Sequence, residues 1–269
     1  MIFNLSMPVL KPKGPTASLT AQSGVTYTNG ISGISAEKMS LYAELISNNT
    51  SITNKTSVVY IDDGANHYKV SIGDQVTLSL NGTNYTFDVI GFNHDTLTDA
   101  NAYGNTTKTG KAGITFQMHD LFDTGYPMNS TNTNSGGWKS SAMRTSTMAT
   151  MKGYLPAAWQ AVIKPVNKAS GTGGGSTSGT ETVSDSCFLL AEIEVFGSTE
   201  YSVSGEGTQY AYYKAGNSKV KNKGGSADHW WTRSTNPGTS GDFCHVFSGG
   251  ISVRGYANIN YGVAFAFCV

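Results

Sequence analysis

The segment that most constrains the fold is the closing "YGVAFAFCV". Val263, Phe265 and Phe267 fall on one face of an extended chain and Ala264, Ala266 and Cys268 on the other. Large side chains on one side, small ones on the other and no charge on either predict a central strand buried on both faces. Any fold this chain adopts must therefore keep a slot inside a sheet for its last strand. The rest of the composition agrees: only 13% of residues are charged, and Gly, Ser, Thr and Asn dominate. That usage suits turn-rich β structure and disfavours a helical bundle. We expect an α+β fold with a hairpin, two helices and short strands.

Residues 1–34 read as an extended arm, since Pro8, Pro12 and Pro15 deny it helix and Gly24, Gly30 and Gly33 interrupt any long strand. Such an arm cannot bury itself and is expected to lie on a partner or on a copy of itself. Ser35 is placed as an N-cap with Glu37 in the first turn. The helix it opens runs to about Ile46, with Met39, Tyr42, Leu45 and Ile46 on one stripe. "SVVYID" reads as a short strand. Alternation on both sides of Asn81-Gly82 predicts a hairpin. Two helical segments follow, the first capped by Ser140 or Ser141 and the second, "LPAAWQAVIKPV", opened by Pro156 and closed before Pro165. Residues 169–180 are a flexible loop by composition, and "CFLLAEIEVFG" is a buried strand or strand plus turn. The division expected is 1–68 for attachment and oligomerisation and 69–269 for a binding domain.

A formal net charge of zero offers no electrostatic case for binding nucleic acid or an anionic membrane. No basic and apolar leader opens the sequence, and no stretch approaches a transmembrane span. Three cysteines, Cys187, Cys244 and Cys268, sit among apolar neighbours. They read as small buried hydrophobes rather than a disulfide framework, with a single bridge left open. Sequons at Asn81 and Asn84 read as chance in an Asn- and Thr-rich chain.

The tract from Thr232 to Val269 contains no Lys, Glu, Gln, Met or Trp. At average usage such a gap has odds of about one in a thousand. None of these five residues has a codon ending in a pyrimidine, so the tract reads as codons with a fixed pyrimidine third base. Exclusion of long charged side chains from a buried β-rich end would explain missing Lys and Glu, but not Asp242, His245 and Arg254 in the same tract. Between Cys244 and Ser252 the even positions are small or apolar and pack inward. The odd positions, His245, Phe247, Gly249, Ile251 and then Val253, have no common packing purpose, so they are placed toward solvent or ligand. Arg254, Gly255, Tyr256, Ile259 and Tyr261 continue the mixture. With Asp242 these residues form the predicted ligand-binding patch, in a hypervariable tract of about 239–261. Trp230, Trp231 and Arg233 are assigned to the platform beneath it, Arg233 holding backbone carbonyls or a carboxylate.

"IGDQVTL", "GWKSSAMR", "LPAAWQAVIKPV", "FLLAEIEVFG", "HWWTRS" and Gly262-Val263-Ala264-Phe265, in that order over residues 69–269, resemble a C-type-lectin-like domain family common in phages and bacteria of the gut. Members often carry Arg-Pro after Gly-Val. Here Ala264-Phe265 follow, as in the subset diversified by retroelements. The resemblance implies a phage receptor-binding or adhesion protein, located on the virion as a tail or head appendage, whose variable surface binds a bacterial cell-surface protein or glycan. The N-terminal arm would contact other virion proteins and sister chains, as a homotrimer. Alternatives are a structural virion decoration and a bacterial surface adhesin.

No enzyme is expected. There is no nucleophile elbow, phosphate-binding glycine loop or HExxH helix. His67, His94, His119, His229 and His245 lack ligand spacing, and His94-Asp95 and His119-Asp120 are read as solvated or structural pairs. Some oxidases of the same fold use a close Cys pair, which Cys244 and Cys268 could mimic only if both faced one cleft. The calcium-dependent sugar motifs of animal lectins are absent, so no metal or cofactor is implied.

Overall fold

The computed structural model of the chain describes residues 14–177 and 179–269. From its start the chain forms β1 (Thr16–Ser18), β2 (Thr28–Asn29), α1 (Ala36–Ser47), β3 (Val58–Asp62) and β4 (His67–Ser71). The β3–β4 hairpin is flanked by β1 on one edge and β2 on the other, giving the sheet order β1-β3-β4-β2. Two short stretches of the arm thus pair with their own chain, β1 on β3 and β2 on β4; Pro8 and Pro12 lie outside the described residues. The boundary expected between 68 and 69 falls inside β4.

Ser35 caps α1, accepting from the Lys38 amide at 3.3 Å. Of the expected stripe, Met39, Tyr42 and Ile46 are fully buried and Leu45 is half-buried. It packs into the main core, not toward another molecule. A Cβ at Gly113 would come within 1.9 Å of the Ala43 carbonyl oxygen, so helix and sheet backbones touch there and only glycine fits.

β5 (Gln75–Leu80) and β6 (Thr83–Phe92) form the predicted hairpin. Asn81 and Gly82 both have positive φ, 48° and 90°, the turn whose twist matches paired strands. β7 (Ile114–Met118) then pairs with β6. The helical region divides into α2 (Gly137–Ser140), a π turn (Met143–Thr147), α3 (Met148–Tyr154) and α4 (Ala157–Val162). Ser141 supplies the cap, its Oγ accepting from the Arg144 amide at 3.1 Å. The "GWKSSAMR" motif has a simple purpose. Trp138 Nε1 donates to Asp185 Oδ2 and Arg144 Nε to Asp185 Oδ1, both at 2.7 Å.

β8 (Val166–Gly171) and β9 (Thr180–Asp185) pair as a hairpin. The loop expected over 169–180 is therefore shorter: glycine-rich composition marked its tip but not the ladder that continues to Gly171. β10 (Cys187–Phe188) is followed by α5 (Glu192–Phe196), where only a strand or turn was expected. α6 (Ala211–Lys214), β11 (Lys221–Lys223), β12 (Ser226–Asp228), β13 (Trp230–Thr235), β14 (Asp242–Val246), β15 (Ser252–Tyr256) and β16 (Ala266–Cys268) complete the chain.

The central sheet has the order β10-β16-β7-β6-β5, so β16 is an interior strand with a partner on each side. Its large face enters an aromatic cluster. Phe267 lies 5.4 Å from Phe87 and 5.5 Å from Phe116 between ring centroids, and Phe265 lies 5.5 Å from Phe87. Its small face lies against polar groups, with Cys268 Sγ 3.5 Å from Asp95 Oδ2. The architecture is α+β, mostly sheet with few short helices and no barrel. Among the described residues no helix is long and apolar enough to cross a membrane.

Phe265 is fully buried immediately before this interior strand. Phe265→Ala is expected to cost about 3–5 kcal/mol. Chemical denaturation of the variant against wild type checks this, and a loss below about 1 kcal/mol would contradict the packing described.

Candidate functional site

The site rests on β13, the outer strand of a sheet ordered β13-β14-β15. Trp230 and Trp231 are fully buried, and each indole is fixed by a backbone carbonyl: Lys219 for Trp230 and Tyr126 for Trp231, both at 2.9 Å. Arg233, also fully buried, uses every nitrogen. Nε donates to Ala169 O, Nη1 to Leu189 O and Glu194, and Nη2 to Glu194 and Glu206 O. Glu194 also accepts from Lys168 Nζ at 2.7 Å, and Lys168 reaches Asp95 at the same distance. Burial alone would raise the Asp95 and Glu194 carboxyls. Lys168, with His94 alongside, outweighs it at Asp95 and holds that carboxyl well below the usual range, and Arg233 with Lys168 lowers Glu194. Glu206 lacks a comparable partner, and burial pushes it up to about 7.

Above this platform, β14 is the middle strand and is buried along its whole length. Two expected exposures are corrected here, although Asp242 still lines the cleft described below. Asp242 and His245 are buried, at 5% and 3% exposure. The alternation that placed His245 outward fails because Trp231 and Tyr261 cover that face of β14. His245 lies 4.4 Å from Tyr261 and 5.5 Å from Trp231 between centroids, and its Nε2 is 3.1 Å from His229 Nδ1. Burial, with His229 alongside, pushes its imidazole down to about 3. The ring also explains Gly255 on the next strand, where a Cβ would sit 3.0 Å from His245 Cε1.

The other predicted residues lie on the outside of this sheet or on its loops. Phe247, Gly249 and Ile251 form the turn joining β14 to β15, and all three are exposed. Val253, Arg254 and Tyr256 follow along β15, Arg254 and Tyr256 exposed and Val253 half-buried. Ile259 is exposed and Tyr261 half-buried on the loop beyond. Arg254 Nη1 pairs with Asp242 Oδ2 at 3.2 Å across the ladder. Arg254, Tyr256, Ile259 and Tyr261, with Asp242 as floor, line an open cleft of about 710 Å³. That lies within the range of small-ligand sites.

Sequence reasoning missed four contributors from outside the tract. Asn132 lines the cleft and accepts from the Ala257 amide at 3.1 Å. Asn134 Nδ2 holds the Thr239 and Asp242 carbonyls at 2.9 and 2.8 Å, which shapes the loop before β14. Glu192, fully buried, accepts from Ser252 Oγ and so ties β15 to α5. Val220 lies against the β14–β15 turn, 3.2 Å from where a Gly250 Cβ would stand. These contacts span the fold, so no local pattern announces them. Cys187, Cys244 and Cys268 are free and buried. Among the described residues no group of three or more His, Cys, Asp and Glu could hold a metal.

Glu206 supplies a pH test. A carboxyl raised from 4.5 to about 7 by folding contributes stability that is fully present below 4.5 and is lost as pH rises through 7. Glu206→Gln removes that titration, so the melting temperature of wild type should fall relative to the variant between pH 5 and 8. A difference that stays constant over this range would refute the assignment.

Residues 112–269, more than half of the chain, match the family of a domain of unknown function, DUF6273. No curated protein and no solved structure matches. The chain belongs to the DUF6273 family.

Proposed function

We propose that this chain is a phage receptor-binding or adhesion protein that presents the tract 239–261 to a bacterial cell surface from a C-type-lectin-like head. One observation carries the reading. Among the described residues the exposed large hydrophobics are Leu19, Val220, Phe247, Ile251, Tyr256 and Ile259. Four of these belong to the tract, and Val220 touches its turn. Exposed apolar side chains concentrated in one stretch of chain mark an interaction site. The same stretch lies within the tract that lacks Lys, Glu, Gln, Met and Trp, an absence that burial of a β-rich end does not account for.

The scaffold separates display from stability. Trp230, Trp231 and Arg233 are internal, whereas Phe247, Ile251, Arg254 and Tyr256 can be exchanged without opening the core. Aromatic and Arg side chains concentrate binding energy, so Phe247, Arg254, Tyr256 and Tyr261 are the anchors. Exchanging the exposed tract residues for a differently mutated set should change which bacterial cells are bound and leave the melting temperature within about 2 °C. Retention of the original target after such an exchange would sink the reading.

Attachment to the virion and trimerisation fall to the N-terminal arm, because the apolar stripe of α1 is already covered by the chain itself. Mass measurement on full-length protein at micromolar concentration should give a trimer. A monomer there would remove the arm from the assembly role.

A further inference from the structure

The open cleft beside Tyr256 has a distinctive chemistry. Among its described lining residues there is one acid, Asp242, and one base, Arg254, and the two pair with each other. The cleft therefore presents no net charge to a ligand, but it does present hydrogen-bonding groups. The Asp242 side chain is only 8% exposed, and its Oδ1 has no donor among the described residues, while Oδ2 holds Arg254. A buried carboxylate oxygen without a donor is costly, so the cleft suits a ligand that donates to it. Arg254 makes no hydrogen bond beyond the one from Nη1, and its other nitrogens can donate. Asn132 Oδ1 is committed to the Ala257 amide, which fixes the side chain, and its Nδ2, beside Gly241, donates to no described residue. Two aromatic rings complete the wall. Tyr261 is held 4.7 Å from Trp231 and 4.4 Å from His245 between centroids, and Tyr256 is 61% exposed. Ile259 is the one aliphatic side chain among the described lining residues.

We propose that this cleft binds a surface glycan, recognised through its hydroxyls and not through a charge. Asp242 Oδ1 accepts from one sugar hydroxyl, Arg254 and Asn132 Nδ2 donate to others, and the ring of Tyr256 or Tyr261 packs on a C–H face of the sugar. This rests on the reading of the tract as a binding surface and adds to it the class of target. A sugar ring carries neighbouring hydroxyls that both donate and accept, and it carries faces made of C–H groups. A neutralised acid–base pair with a planar amide answers the hydroxyls, and an amphipathic aromatic ring answers the faces. A protein target would be anchored by side chains sunk into well-packed apolar pockets. A cleft with one aliphatic lining residue offers no such pocket.

The test measures affinity of the full chain for intact cells of the bacterial isolates it binds, before and after the cells are treated with protease or with mild periodate, which cleaves between neighbouring hydroxyls. Asp242→Asn, Asn132→Ala and Tyr256→Ala are compared with wild type, and Leu19→Asp, a change on a remote exposed residue, is the control. Periodate should abolish binding, whether or not protease also reduces it. Each cleft substitution should weaken binding about tenfold or more, and Leu19→Asp should not. Raising salt from about 0.05 to about 0.5 M should leave affinity within about twofold, since no net charge is being recognised. Loss to protease without loss to periodate overturns the glycan in favour of a protein target, and loss to neither overturns it as well. A steep loss with salt overturns recognition through hydroxyls. Tyr256 is exposed, so its substitution leaves folding intact, and an unchanged affinity for Tyr256→Ala together with Asn132→Ala overturns the cleft as the site. If exchanging the tract leaves the bound isolates unchanged, the binding reading of the tract fails, while Asn132→Ala, outside the tract, and the periodate result still decide whether this cleft holds a glycan.

Discussion

Arg233 is the residue on which the rest of the structure depends. Its guanidinium joins β8 through Ala169, the segment before α5 through Leu189, α5 itself through Glu194, and the loop around Glu206. Lys168 extends the same network to Asp95, whose carboxylate also accepts from Thr115 on β7 and Tyr210. A buried network of this kind gains little net stability over a well-packed apolar one, because desolvation offsets the attraction. What it supplies is specificity: removing any member leaves a buried charge without its partner, so the hairpin β8–β9, the central sheet and the sheet below the site share one allowed arrangement. Glu206 is the exception that fits the rule. With Glu206 the network holds three carboxylates against two cations, and burial raises the one with the weakest cationic contact.

That arrangement explains how an exchangeable surface can sit on a stable head. β14 is buried on both faces and β15 is tied down by Ser252 to Glu192. Asn134 holds the loop before β14, and His245 and Tyr261 pack over Trp231. The support is made of inward side chains and main-chain hydrogen bonds. The exposed side chains of Phe247, Ile251, Arg254 and Tyr256 are not part of it, so the two requirements on one stretch of chain do not conflict.

Much of the fold was legible because it rests on local periodicity and turn chemistry. Asn81-Gly82, the Ser35 cap and the alternation of Val263 to Cys268 each report a local backbone state. The failures share a cause. Residues 169–171 read as loop because glycine and serine are poor strand formers, and only pairing with β9 overrides that. α5 was missed because five residues are too few to show a helical period. His245 was placed outward because strict alternation assumes one covered face, whereas Trp231 from a neighbouring strand and Tyr261 from a following loop cover the other.

By itself, then, the sequence determined an α+β chain whose last strand must be internal, a platform of Trp230, Trp231 and Arg233, and a tract distinguished from everything before it by composition. Only the tertiary structure decided which tract residues are presented. That depends on partners far away in the chain, with Asn132, Glu192 and Val220 brought against residues 241–257 by the packing of the whole domain. Periodicity records which way a side chain points along its own strand, while exposure is set by what the rest of the molecule lays over it.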